Sequence, residues 1–176
     1  VRLLLNYGDA IVNVEVEKED TSEIHEVALA EFIVHCLEQD QLQFEDPVIR
    51  QIYQDYISFL DELIYPDIRK FTFHENPAVS QTSSDLMTNQ YELSHNWEIK
   101  HYIFTEKEES NLSKAAKDAV YRLKLVKVIR MINEINQQIE VHQENEEKVI
   151  ELMESKKTLD QSKRKLAQYF GTVIFR

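Results

Sequence analysis

From Thr105 to His142 the chain contains neither glycine nor proline. Such a run reads as one helix of ~37 residues, about 55 Å at 1.5 Å per residue, longer than an ordinary globular helix. Thr105 and Glu108 have the T-x-x-E spacing of a capping box, and Glu106 and Glu109 suit the positive end of a helix dipole. Within the run Leu125, Val128, Ile132, Ile135 and Ile139 alternate steps of three and four, a narrow coiled-coil seam rather than the broad stripe of a helix lying on a core. Beyond a polar turn, Leu152, Leu159, Leu166 and Val173 recur every seven residues. Two such seams fold back on each other as an antiparallel hairpin. The spacing allows the hairpin to project as an arm or to pack down as two more helices of one bundle.

Two glycines and three prolines in 176 residues are few for a fold rich in tight turns, so helices with short connections are expected throughout. The expected fold class is all-α: a helical bundle over 1–127, then a hairpin over 128–176 that shares the long helix 105–142. "RLLLNY" is expected to be helical up to Gly8 and Asp9. "AIVNVEVE" at 10–17 alternates like a strand; either a small strand or an extended surface loop fits it, with "FTF" at Phe71–Phe73 as the other strand candidate. The stretch from Ser22 to Asp40 reads as a helix burying Val27, Ala30, Ile33, Val34 and Leu37. Asp46 and Pro47 give an N-cap and first-turn proline to a helix carrying Ile49, Ile52, Tyr53, Tyr56, Phe59, Leu60 and Leu63 up to Pro66. Asn76 and Pro77 repeat that signature, opening a helix expected to bury Val79, Leu86, Met87 and Tyr91. A short helix anchored by Trp97 should follow.

Val1 stands where an initiator methionine would be, and the chain reads as part of a longer protein. No apolar run nears the ~18 residues of a membrane span, and a signal peptide's layout is missing. The lone cysteine, Cys36, suits a reducing cytosol, where it reads as a small buried apolar residue rather than a nucleophile. No phosphate-binding glycine loop, CxxC pair or H-E-x-x-H occurs. Glu92 with His95 and Glu98 with His101 have the E-x-x-H spacing of di-iron bundles, but those motifs face each other from two helices, whereas these lie six residues apart on one segment. His25, His35, His74 and His142 are scattered. Neither a metal nor a catalytic group is expected.

Charge is uneven: residues 1–105 hold six Lys/Arg against twenty Asp/Glu, and residues 106–176 fourteen against twelve. An acidic front disfavours phosphate binding, which rests on counterion release by Lys and Arg. Protein partners are expected, with no direct nucleic acid and no membrane. If the hairpin projects, its seam residues are used internally. A partner then meets the tip, His142, Gln143, Glu144, Asn145, Glu146 and Glu147, and the outer face of the second helix, Lys156, Lys163, Arg164 and Gln168. Tyr169 and Phe170 serve either as an aromatic anchor or as the closure of the hairpin base.

"RLLLNYGD" at 2–9, "AEFIVHCLEQDQLQFEDPVIRQIYQDY" at 30–56, "YELSHNW" at 91–97 and "KRKLAQYFGTVIFR" at 163–176 together resemble the C-terminal, helicase-interacting domain of bacterial DNA primase, the DnaG type. The resemblance spans nearly the whole chain and rests on helices and anchor residues, with no catalytic signature. It implies a helical bundle followed by a helical hairpin, a cytoplasmic adaptor binding the N-terminal domain of the replicative DnaB-type helicase, and a monomer in isolation. It also implies that this stretch is itself non-catalytic and without cofactors, the primase's zinc and magnesium belonging to upstream domains with its nucleotidyltransferase activity. The Val12–Asp20 segment does not map onto that pattern. The alternative is a structural coiled-coil module that oligomerises through the Leu152–Val173 seam.

Overall fold

A computed structural model describes residues 1–18, 21–88 and 108–171. The chain is predominantly helical with one small antiparallel sheet, and it divides into two compact units, Val1–Lys117 and Asp118–Arg176.

In the first unit α1 (Arg2–Tyr7) leads into strands β1 (Ile11–Lys18) and β2 (Thr21–Ala28), then α2 (Leu29–Gln39), α3 (Pro47–Asp61), the single turn α4 (Arg69–Thr72) and α5 (Pro77–Met87). A 3-10 turn, Glu108–Asn111, precedes α6 (Leu112–Val141). The core gathers Leu3, Leu4 and Leu5 of α1, Leu29, Ala30, Ile33 and Leu37 of α2, Ile52, Tyr53 and Tyr56 of α3, Phe71 and Val79. Helix α5 packs against α1, α3 and α4. Tyr56 stacks on Phe71 with centroids 5.9 Å apart, and Phe59 meets Phe71 edge-on at 6.3 Å. Arg2 forks onto both carboxylate oxygens of Glu108, one bond measuring 2.7 Å.

Both proline-led helices start where expected. The Asp46 carboxylate accepts from the amides of Val48 and Ile49 at 2.8 and 2.9 Å, and the Asn76 side chain accepts from Ala78 at 3.0 Å, satisfying donors that the first helical turn leaves open.

Several expectations need correction. The strand at 10–17 is real, but its partner is Thr21–Ala28, read above as the start of a helix; Val12 pairs with Val27, and Phe71–Phe73 is not a strand. Ile24 and Val27 are three residues apart, which mimics a helical face, while Glu23, Ile24, His25 and Glu26 are all exposed. A ribbon so exposed has little need of strict alternation. Phe71 sits instead in the turn of α4, fully buried, while Phe73 is exposed. Met87, expected inside, is also exposed. The long helix begins at Leu112 rather than Thr105, and Glu108 is engaged with Arg2. Tyr91, the segment around Trp97, both E-x-x-H pairs, Thr105 and Val173 lie outside the described residues.

Leu63 differs most from expectation: it is 91 % exposed, because α3 stops at Asp61, well before Pro66. The Ile64 amide donates back to Phe59 O at 2.9 Å and the Leu63 amide to Leu60 O at 2.8 Å, the six-to-one and five-to-two bonds of a Schellman ending. That ending puts Leu63 at φ 60, and α2 ends the same way on Gln41 at φ 50. In a chain with two glycines, ordinary residues fill positions that glycine usually takes. Left-handed backbone costs a residue with a Cβ about 1–2 kcal/mol, while glycine's extra unfolded-state entropy costs about 0.5–1 kcal/mol. Leu63→Gly should therefore raise stability by ~0.5–1 kcal/mol, read as a higher urea midpoint at unchanged slope. An unchanged or lower midpoint would show that the leucine side chain contributes more than the strain costs.

Candidate docking surface

The second unit is the hairpin. Helix α6 runs into it from the first unit, four residues make the turn, and α7 (Glu146–Tyr169) returns. The turn closes through the His142 amide on Gln138 O at 3.0 Å and the Asn145 amide on His142 O at 2.9 Å. Asn145 then caps α7, its side chain accepting from the Lys148 amide at 3.1 Å, with Glu146 and Glu147 at the positive end of the dipole. The heptad positions turn inward: Ile132 and Leu152 are buried, and Leu125, Val128, Ile135, Ile139, Leu159 and Leu166 are half-buried.

At the base, the Tyr169 hydroxyl donates to Asp118 at 2.8 Å, and its ring meets Tyr121 edge-on at 4.5 Å. Desolvation first, then the Asp118 bond, pushes the Tyr169 phenol up to about 12. The Arg122 guanidinium lies 5.3 Å from the centroid of Phe170. Of the two roles open to Tyr169 and Phe170, these contacts supply the closure of the hairpin base.

The other candidate residues occupy different settings. His142, Gln143, Glu144, Asn145, Glu146 and Glu147 are all exposed at the tip, as are Arg164 and Gln168 on α7; Lys156 and Lys163 are half-buried, in step with Leu152 and Leu159. Sequence reasoning missed a set of exposed apolar side chains off the seam: Val126, Ile129 and Met131 on α6, Val141 beside the turn, and Ile150 and Met153 on α7. Their signal was the apolar residues left over once each heptad had been assigned. Chemistry is sparse by comparison. Among the described residues no three His, Cys, Asp or Glu side chains cluster as a metal site, and no helix is long and apolar enough to cross a membrane. The arrangement offers contact area and charge.

No curated protein matches the chain, and no solved structure does. A family model described as a domain of unknown function, DUF8430, matches residues 1–173, and the chain belongs to that family.

Proposed function

We propose that the chain is the helicase-docking module of a cytoplasmic DNA primase, binding the N-terminal domain of a replicative DnaB-type helicase through its hairpin and bringing primer synthesis to the fork. The observation that carries this reading is a hairpin whose heptad residues turn inward while apolar and charged side chains remain on its outside. Such a surface suits a protein partner: exposed apolar side chains can anchor and surrounding charge can steer encounter. The primase resemblance supplies the partner's identity. In the alternative, the Leu152–Val173 seam joins separate chains, yet Leu152 is already buried within one chain.

The test is binding of the whole chain to purified helicase N-terminal domain from the same cell, followed by surface plasmon resonance. Saturable binding is expected. Lys165→Glu, at an exposed lysine beside Arg164 on α7, should slow association several-fold, and more at low salt than at high salt, with little change in dissociation. No binding by the unaltered chain overturns the reading.

A further inference from the structure

Charge divides lengthwise along the hairpin. In the base half, residues 118–130 and 156–171, nine Lys/Arg stand against two acids; in the tip half, residues 131–155, one lysine stands against seven glutamates. Tyr169 lies level with Asp118, to which it is bonded, and Glu146 with Val141 across the turn. Level partners are therefore found by stepping equally from the turn, and the sign changes near Met131 on α6 and Lys156 on α7.

An apolar strip crosses that midpoint on one flank. Val126 and Ile129 on α6 are 56 % and 39 % exposed, and Ile150 and Met153 on α7 are 58 % and 56 % exposed. At 3.6 residues per turn, Ile129 and Met153 each lie about 80° from their own helix's seam in the same rotational sense. Because the helices run antiparallel, equal rotations reach the same side of the hairpin. Arg122 and Glu140 on α6, and Glu146 and Arg164 on α7, lie about 100° round on that side. There Met153, Lys157, Asp160 and Arg164 border a shallow groove.

Ile129 and Met153 lie within one helical turn of the midpoint, so a two-fold axis there sets each near its own copy. Along each helix the charges reverse across the midpoint: Arg122 and Glu140 on α6, and Arg164 and Glu146 on α7, stand about equally far from it. A flank with apolar groups beside its centre and charges that reverse across it along each helix is complementary to itself turned end for end, the requirement of a two-fold interface. We infer that two copies of this chain pair through this flank, antiparallel, α6 on α6 and α7 on α7. Ile129 and Met153 of both copies form the centre. Arg122 faces the second copy's Glu140, and Arg164 the second copy's Glu146. Two helices side by side, each ~36 Å long and ~10 Å across, offer ~700 Å² per copy, close to the ~800 Å² per partner of a standard interface. Four apolar side chains per copy make a small centre, so the dimer is reversible and concentration-dependent, and the chain is a monomer when dilute. The pairing does not rest on the helicase reading: it covers Val126, Ile129, Ile150 and Met153 and leaves Met131, Val141 and the tip to another protein.

Sedimentation equilibrium of the whole chain over a range of concentrations, at low and high salt, tests it. A monomer–dimer equilibrium is expected, shifted toward monomer by salt. Ile129→Glu should weaken it ~10-fold or more, with circular dichroism unchanged because the side chain is partly exposed. Arg164→Glu should also weaken it, and adding Glu146→Arg to the same chain should restore it to within ~3-fold of the unaltered chain. Within one chain these two residues lie ~27 Å apart along α7, so rescue can only come from a second copy. A monomer at every concentration, a dimer indifferent to Ile129→Glu, or a double variant as weak as the single one overturns the proposal.

Discussion

Gly8→Ala should destabilise the first unit by about 3 kcal/mol. The backbone alone predicts the opposite. Gly8 ends α1 at φ −60 and ψ −33, a conformation open to any residue, and alanine in such a place gains about 0.4–1 kcal/mol from a less flexible unfolded chain. Space decides against it. A Cβ at Gly8 would stand 1.8 Å from the Tyr56 hydroxyl oxygen and 2.6 Å from Leu4 O. Tyr56 has little freedom to swing away, being buried and stacked on Phe71. The Gly8 carbonyl also accepts from the Ala30 amide at 2.9 Å, so a shift of this corner would disturb the start of α2. Against a typical domain stability of ~5–15 kcal/mol the loss is large, and it should appear as a lower urea midpoint. In the Gly8→Ala background Tyr56→Phe should recover part of it by removing the nearest atom, a non-additive pair. Equal midpoints for Gly8→Ala and the unaltered chain would mean that the corner relaxes freely.

Legibility in the sequence followed how much each local pattern was over-determined. Asp46 with Pro47 and Asn76 with Pro77 state a helix start twice, by a cap and by a preset φ, and both starts lie where they were expected. The hairpin seam was legible because five apolar residues step by three and four on one helix and a seven-residue repeat follows on the other. Strand β2 was not, because Ile24 and Val27 fit a helical step as well as an exposed ribbon. The end of α3 was hidden for a related reason: Leu63 continues the apolar step of Ile52, Tyr56 and Phe59, and a leucine gives no sign of a left-handed residue. The candidate surface was legible only in part. Tip and charged positions followed from the hairpin itself, whereas the flank holding Ile129 and Met153 needed the seam's rotational position on both helices. Lys156 and Lys163, read as outer-face residues, fall in step with the seam and rest half-buried, as long lysine stems can along an apolar surface.

Alkaline pH should unfold the first unit between about pH 10 and 12. Desolvation pushes the phenols of Tyr53 and Tyr56 up to about 12 from an ordinary 10, with nearby acids, Glu38 for Tyr53 and Asp9 for Tyr56, adding to the rise. Between those values the unfolded chain has released protons that the native unit keeps, so unfolding is favoured as pH rises. The stabilisation is fully present below pH 10 and is lost as pH climbs through 12. Each phenol accounts for about 2–3 kcal/mol over that interval, and two together approach the ~5–15 kcal/mol that holds a domain folded. Helical ellipticity should fall in step with a late rise in phenolate absorbance. Tyr169 also titrates late, through burial and its bond to Asp118, but it belongs to the other unit, so a substitution is needed to separate the two. Tyr53→Phe serves, since the Tyr53 hydroxyl is buried with no hydrogen-bond partner among the described residues and its removal should cost little at neutral pH. In that variant the loss of stability from pH 10 to 12 should shrink by roughly half. Phenolates that all form near pH 10 while the helices persist would show that these two tyrosines are not held away from water in the native unit.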